Sequence, residues 1–312
     1  MAAERRTGRV VEWTSLNEGL ATFRVMPETG TSFPSYTAGQ YCALARTGCR
    51  LTRREIGEDG KPRYVPDLDE NGEQRRGTVT HSYSIASAPF ETLRGGPLEF
   101  YVILEKDDKG NPGRLTESLF EIRPSFDDEI TYVSRIVGDF TLERRADGAR
   151  HVVMVGTGTG LAPFRSMLVG LDEEARRGRV TSQRFTLLHA NHTRSELAYH
   201  EQLRAIEEAG RFDFAYIASE SRPKGDAPSA DLGRGRASNL LRRIVDLKTK
   251  EAEEGRKPAV EPELPARHSP EALRRRFVAS ETVVLTCGSA GAMADVALVA
   301  SRLGMRFEKE DW

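Results

Sequence analysis

Val152-Val153-Met154-Val155-Gly156-Thr157-Gly158-Thr159-Gly160-Leu161-Ala162-Pro163-Phe164 runs from an apolar stretch through three glycines into a proline. It reads as a buried strand, a glycine turn and a helix start, the arrangement that sets a phosphate on backbone amides. Gly158 and Gly160 let the chain approach a pyrophosphate without a Cβ in the way. The helix beginning near Pro163 aims unpaired N–H groups and the positive end of its dipole at the anion. Proline fits there because a first-turn N–H has no intrahelical partner. Phe164, Met167, Leu168 and Leu171 then recur at helical spacing, and Arg176-Arg177-Gly178 supply a basic last turn and a stop. Residues 156–160, that is Gly156, Thr157, Gly158, Thr159 and Gly160, are therefore the first candidate ligand-binding group.

The turn implies a nucleotide without naming one. Leu161 stands where the common G-x-G-x-x-G pattern has its third glycine, and no Gly-Lys-Ser/Thr follows, which excludes a P-loop. The acidic residue expected about twenty positions on is absent from the next strand end, Ala190-Asn191.

A chain of 312 residues has room for two domains, each with its own core. The net charge of −1 offers no electrostatic attraction to nucleic acid or to an anionic membrane. Cys42, Cys49 and Cys287 are too few and too scattered for a disulfide framework, a zinc ribbon or an iron–sulfur loop, so no metal is expected. Met1–Arg9 has no apolar h-region, and the Val-Ala-Leu-Val-Ala run at 296–300 is too short to span a bilayer. The expectation is a soluble, cytoplasmic monomer.

Residues 9–140 hold β-rich runs at Arg9–Trp13, Ala21–Met26, Gln40–Ala45, Ser82–Ala86, Leu98–Leu104 and Glu129–Val133, which predicts an antiparallel barrel or sandwich. From about Ala149 strands and helices alternate, at 151–155, 163–177, 184–190, 196–209, 212–218, 238–247, 282–287 and 291–303, the mark of a parallel sheet flanked by helices. The polar Arg144–Arg150 stretch reads as the hinge, giving domains of 1–146 and 147–312. Two charged insertions interrupt the pattern. Residues 46–80 carry hairpin turn signals at Asp59-Gly60 and Asn71-Gly72. Residues 222–272 surround one amphipathic helix, with Ser238 as its expected N-cap and Leu240, Leu241, Ile244, Val245 and Lys248 as its face. Much of the charged composition is expected on these solvated additions.

Four motifs, in order, carry a family resemblance: His81-Ser82-Tyr83-Ser84-Ile85-Ala86-Ser87-Ala88-Pro89, Gly156–Phe164, Cys287-Gly288 and an aromatic C-terminus. With these the chain resembles the ferredoxin–NADP reductase family, and most of all its compact bacterial members that end in tryptophan. The resemblance implies an FAD-binding β-barrel domain followed by an NADP-binding α/β domain with a parallel sheet. Tyr83 would lie against the isoalloxazine ring and Ser84 near flavin N5, where hydride arrives. His81 departs from the family, which has an arginine there to hold the FAD pyrophosphate; neutral imidazole offers one donor rather than a cationic fork. Gly113-Arg114-Leu115-Thr116 matches the second pyrophosphate element, and Arg114 would restore part of the missing charge. Ala38-Gly39-Gln40-Tyr41 matches a barrel strand with a structural role.

Cys287 follows the apolar strand Thr282–Leu285 and so emerges at the carboxyl end of a parallel strand, where α/β sheets place ligands. By the resemblance Cys287 packs beside the nicotinamide with Glu310, and Trp312 covers the flavin face; Ser84, Cys287, Glu310 and Trp312 form the implied catalytic set. For the coenzyme 2′-phosphate the family places arginines that match Arg222 and Arg236, although Glu220 directly after Ser219 would suit NAD. NADP is expected, with NAD as the alternative. The implied reaction moves hydride between NADP(H) and FAD, and single electrons between FAD and ferredoxin or flavodoxin. Two other readings stay open: an NAD(P)H-dependent flavin reductase serving an oxygenase, and an electron-transfer subunit of a larger complex.

Overall fold

The computed structural model describes residues 4–57, 60–223 and 229–310. The chain falls into two compact units: Met1–Pro34, Tyr41–Tyr83 and Arg94–Ile136 form the first, and Ser35–Gln40, Ser84–Leu93 and Val137–Trp312 the second.

The first unit carries β1 (Arg5–Asn17), β2 (Leu20–Met26), β3 (Tyr41–Arg50), β4 (Thr52–Ile56), β5 (Pro62–Pro66), β6 (Arg76–Ser84), β7 (Leu98–Ile103), α1 (Arg114–Phe120) and β8 (Glu129–Val133). Six strands make an antiparallel half-barrel in the order β6-β3-β8-β1-β2-β7. The alternation in the sequence is thus met by one sheet with two edges. Its core includes a cross-strand aromatic row: Phe23 faces Trp13 and Phe100 in register, with ring centroids 5.4 and 5.3 Å apart. Glu99 is buried among these strands because Arg24 bonds its carboxylate at 3.3 Å. β4 and β5 pair only with each other, as a hairpin outside the main sheet. Of its turn signal, Asp59 lies outside the described residues and Gly60 has φ +73°. At the second signal the Asp69 carboxylate accepts from the N–H groups of Asn71 and Glu73 at 2.8 and 3.0 Å, and Gly72 has φ +79°.

The second unit carries α2 (Leu142–Arg145), β9 (His151–Thr157), α3 (Ala162–Arg176), β10 (Arg184–Asn191), α4 (His200–Ala209), β11 (Phe214–Glu220), β12 (Gly233–Arg234), α5 (Ala237–Ile244), α6 (Lys250–Glu253), α7 (Pro270–Arg274), β13 (Thr282–Cys287), α8 (Ala290–Arg302) and β14 (Arg306–Lys309). Its strands are parallel, in the order β12-β11-β10-β9-β13-β14. The chain steps outward from β9 to β12, then returns to lay β13 on the other side of β9. That reversal opens a crevice at the carboxyl ends of β9 and β13.

Several expectations need correction. Ser238 is not the N-cap of α5: the helix starts at Ala237, Arg236 is the extended residue before it, and Ser238 sits inside the first turn. The helix stops at Ile244, so Lys248 lies beyond its face. The helix expected from 196 begins at His200, since Tyr199 takes the left-handed conformation (φ 61°) and residues 194–196 form a separate tight turn. The described part of 222–272 is not merely a solvated addition. Leu240, Leu241, Ile244 and Leu264 share a core with Val153, Val155 and Val284 of the parallel sheet. Arg242 of α5 is fully buried and bonds Asp295 of α8 at 2.6 Å.

The polar 144–150 stretch lies inside the second unit, because β14 holds it there. Arg145 pairs with Glu308 at 2.7 Å, and Arg306 donates to the carbonyls of Arg145 and Asp147 at 2.7 and 2.9 Å. Among the described residues no helix is long and apolar enough to cross a membrane.

Candidate active site

The glycine turn and the turn after β13 interlock. After β9 the chain makes one 3₁₀ turn, Gly158–Leu161, and enters α3 with a proline in the first turn. A Cβ on Gly160 would stand 2.2 Å from the carbonyl oxygen of Cys287, so only glycine allows the two turns to meet this closely. Gly288 answers from the other side: its φ is +135°, and a Cβ there would fall 2.1 Å from Thr157 Oγ1. Leu161 replaces the third fingerprint glycine without loss. The close helix–strand approach is made at Gly156, whose Cβ would meet the Cα of Leu161 at 3.3 Å, while Leu161 itself is buried. Above Gly158 the space is open, as a phosphate cradle requires.

At the end of β13 three buried side chains meet. Ser84 Oγ donates to the Glu310 carboxylate, 2.9 Å from Oε1 and 3.1 Å from Oε2, and Cys287 Sγ donates to Oε2 at 3.0 Å. The Glu310 N–H is tied to the Thr286 carbonyl at 3.1 Å, which fixes the carboxylate just beyond β14. Burial pushes the Glu310 carboxyl up to about 7, against the opposing hydrogen bonds from Cys287 and Ser84. Burial and the adjacent carboxylate push the Cys287 thiol well above its ordinary value, so it serves as a donor and not as a thiolate nucleophile. A carboxyl poised near neutrality, with two donors aimed at it, is suited to proton-transfer chemistry.

Ser84 ends β6, and the segment that follows it is anchored as well. Residues 85–88 are buried, so their polar backbone needs partners. Arg165 of α3 donates to the Ala86 carbonyl at 3.0 Å and takes the Glu91 carboxylate with both terminal nitrogens, Nη2 to Oε1 at 3.0 Å. Ser166 Oγ and Tyr36 OH both donate to the Ser87 carbonyl, at 2.7 and 2.9 Å. None of Arg165, Glu91 or Ser166 stands out in the sequence, where a polar pair inside a helix reads as an exposed face.

A second buried cluster is equally silent in the sequence. Tyr216 OH lies 3.0 Å from His189 Nδ1 and 3.2 Å from His200 Nδ1, and His200 Nε2 reaches Asp231 at 3.4 Å. Burial, with His200 nearby, pushes His189 down to about 3, which leaves its ring neutral at ordinary pH.

The remaining candidates are dispersed. In the first unit His81 is exposed, and burial, with Glu105 next, raises the Tyr83 phenol. Gly113 opens α1, Arg114 is half-buried, Leu115 is core, and Thr116 Oγ1 donates to the Gly113 carbonyl at 3.2 Å. In the second unit Arg222 is exposed after β11, and Arg236 is 70% exposed before α5 with Glu251 at 3.4 Å. Glu220 is already engaged, because its carboxylate accepts from the Arg194 N–H at 2.6 Å. Trp312 lies outside the described residues.

Residues 154–236 match the family model described as the oxidoreductase NAD-binding domain. No curated protein sequence matches the chain. Among solved structures, a ferredoxin NADP+ reductase from Neisseria gonorrhoeae, with bound FAD and NADP, is similar over 99% of each chain at 19% identity and a TM-score of 0.61. The chain is ferredoxin reductase-like in fold. A flavohem-like FAD/NAD-binding domain of nitric oxide dioxygenase from Vibrio cholerae is similar over 98% of each chain, at 17% identity and TM-score 0.63. So is a cytochrome P450 reductase from Amycolatopsis, over 99% of this chain and 70% of that one, at 16% identity and TM-score 0.61. The fold is thus shared by a ferredoxin NADP+ reductase, a domain of a nitric oxide dioxygenase and a cytochrome P450 reductase.

Proposed function

We propose that the chain is an FAD-dependent oxidoreductase that moves hydride between NADP(H) and FAD and exchanges single electrons with ferredoxin or flavodoxin. The observation that carries this reading is the buried Ser84–Glu310–Cys287 cluster at the carboxyl end of β13, against the glycine turn. Bound FAD would supply the conversion between two-electron and one-electron transfer, which no side chain offers. The residues present fit it. Tyr83 would give a ring face and Ser84 a hydroxyl for flavin N5. Gly113, where a Cβ would crowd Thr116 Oγ1 at 2.8 Å, would open a helix start to the pyrophosphate, with Arg114 and His81 as its donors.

The side chains do the positioning. Glu310 accepts from Ser84 and Cys287 together and so orients both, while its own burial keeps water from the reacting atoms. Residues 156–160 would hold the coenzyme pyrophosphate, and Trp312 would cover the flavin until nicotinamide displaces it.

NADP is favoured over NAD because Glu220, the side chain that would repel a 2′-phosphate, is drawn to the Arg194 N–H, while Arg222 and Arg236 are exposed. Arg236→Ala should lower kcat/KM for NADPH by roughly tenfold or more, the worth of a charge-assisted hydrogen bond, and leave NADH little changed. Equal kcat/KM for the two coenzymes in the parent, or a retained NADPH preference in the variant, rejects the assignment. Similarity to a P450 reductase and to a nitric oxide dioxygenase domain favours a second reading, a reductase that feeds an oxygenase. Steady-state rates with ferredoxin, flavodoxin and an oxygenase as acceptors separate the two.

A further inference from the structure

We infer that Arg165 is a positioning residue for hydride transfer, one that fixes Ser84 against Glu310 by clamping the 84–93 segment to the helix of the coenzyme turn. This role rests on the proposed flavin chemistry and deepens it. Arg165 is the fourth residue of α3, which starts directly after the Gly158–Leu161 turn. Its guanidinium is buried, yet its donors are engaged: Nε bonds Gln202 Oε1 at 3.1 Å, Nη1 bonds the Ala86 carbonyl at 3.0 Å, and both terminal nitrogens hold Glu91. Tyr199 covers its face, with the ring centroid 5.0 Å away. Glu91 in turn accepts from the Ala88 N–H at 2.6 Å. One planar cation therefore bonds two points of the irregular segment, on the second and seventh residues after Ser84.

Lysine could satisfy one of these points but not both, since its ammonium lacks the two-pronged geometry. Packing alone is a poor reason for the residue, because an apolar side chain of similar volume would fill the space without the desolvation cost of a buried ion pair. What it holds is the stretch that carries Ser84. Among the described residues Ser84 makes no bond of its own to α3; it ends β6, the Ile85 N–H donates to the Gln40 carbonyl at 3.0 Å, and on the far side its 2.9 Å bond to Glu310 depends on where residues 86–91 are anchored.

A double-mutant cycle tests this. Anaerobic flavin reduction by NADPH is followed in the parent, Arg165→Met, Ser84→Ala and the double variant. Arg165→Met should reduce the limiting rate by up to about 10²-fold, the usual loss for a misplaced reacting group, with NADPH affinity and flavin content unchanged. The double variant should be no slower than Ser84→Ala, and Arg165→Lys should recover part of the rate. Additive losses, or a loss confined to NADPH affinity, would overturn the inference. Glu91→Gln, which keeps the packing, should show a smaller loss of the same kind; an unchanged rate there counts against the clamp. A second arm needs no turnover. The Glu310 carboxyl is titrated by infrared difference spectroscopy, its band identified with Glu310→Gln. Arg165→Met should move its midpoint upward as Ser84→Ala does, because Ser84→Ala removes the hydroxyl that bonds the carboxylate and Arg165→Met displaces it. An unmoved midpoint defeats the role of Arg165 even if the flavin reading stands. A moved midpoint in a protein that NADPH does not reduce keeps the clamp and defeats the flavin reading.

Discussion

Arg242→Ala should destabilise the protein by about 3–5 kcal/mol, the usual cost of leaving one member of a buried ion pair without the other. Arg242 is fully buried. It gives two bonds to Asp295 through Nε, at 3.2 Å to each oxygen, one through Nη2 at 2.6 Å, and one to the Lys248 carbonyl at 3.0 Å. It also meets Glu253 at 3.0 Å. Asp295, only 2% exposed on α8, would be left without its guanidinium partner. Urea denaturation at neutral pH measures the loss. Replacing both partners, as Arg242→Met with Asp295→Leu, should recover most of it, because two apolar side chains remove the desolvation cost as well as the attraction. A loss below about 1 kcal/mol would mean that α5 is a surface addition after all, worth no more than an exposed pair.

Glu310→Gln should slow flavin reduction by about 10²-fold, the lower end of what a placed acid–base group contributes. It should also make the protein more stable in alkali. Folding raises the Glu310 carboxyl from 4.5 to about 7, so the native state binds a proton more tightly than the unfolded chain does. The resulting stabilisation is complete below the unfolded value and is lost as pH rises through the folded one. Between those two limits the loss amounts to about 3 kcal/mol, since each tenfold change in proton affinity is worth about 1.36 kcal/mol. Glutamine does not titrate, so the variant should gain on the parent across that window and hold the gain at pH 8. A parent whose stability relative to the variant is flat from pH 4 to pH 8 would show that Glu310 ionises as freely as an exposed carboxylate. The gain in stability and the loss in rate would arise from the same burial, a common trade-off at active sites.

The glycine turn can be read from residues alone, since a strand, a glycine run and a proline at a helix start form a local pattern, although the need for glycine at 160 comes from Cys287, far along the chain. Some strand positions along the half-barrel are equally plain from alternation, as at Glu129–Val133, which the structure reproduces, whereas the strand expected at Ser82–Ala86 runs instead from Arg76 to Ser84, starting within the stretch read as a charged insertion. The meeting of residues 84, 287 and 310 is a different kind of fact. No spacing in the chain foretells it, and the family resemblance supplies what local pattern does not contain. Arg165 and Ser166 escape notice because helical periodicity assigns them to a polar face, whereas α3 is buried nearly all round at 162–169. Arg242 is hidden for the converse reason. A charge-rich stretch looks solvated, and only the presence of Asp295 on a helix distant in the chain reveals that the charge is matched inside. Start signals mislead at α5, where an extended Arg236 precedes the helix and Ser238 lies within it.

If the buried Ser84–Glu310–Cys287 cluster serves hydride transfer between a nicotinamide and a flavin, the visible absorbance spectrum of the purified chain should show it most directly. The spectrum is taken without oxygen, before and after addition of one equivalent of NADPH per flavin. The expected record is a flavin spectrum, FAD on heat release, and bleaching by NADPH that is strongly slowed in Glu310→Gln. Folded protein that binds no FAD when supplied with it, or bound FAD that NADPH leaves oxidised, would contradict this role for the cluster.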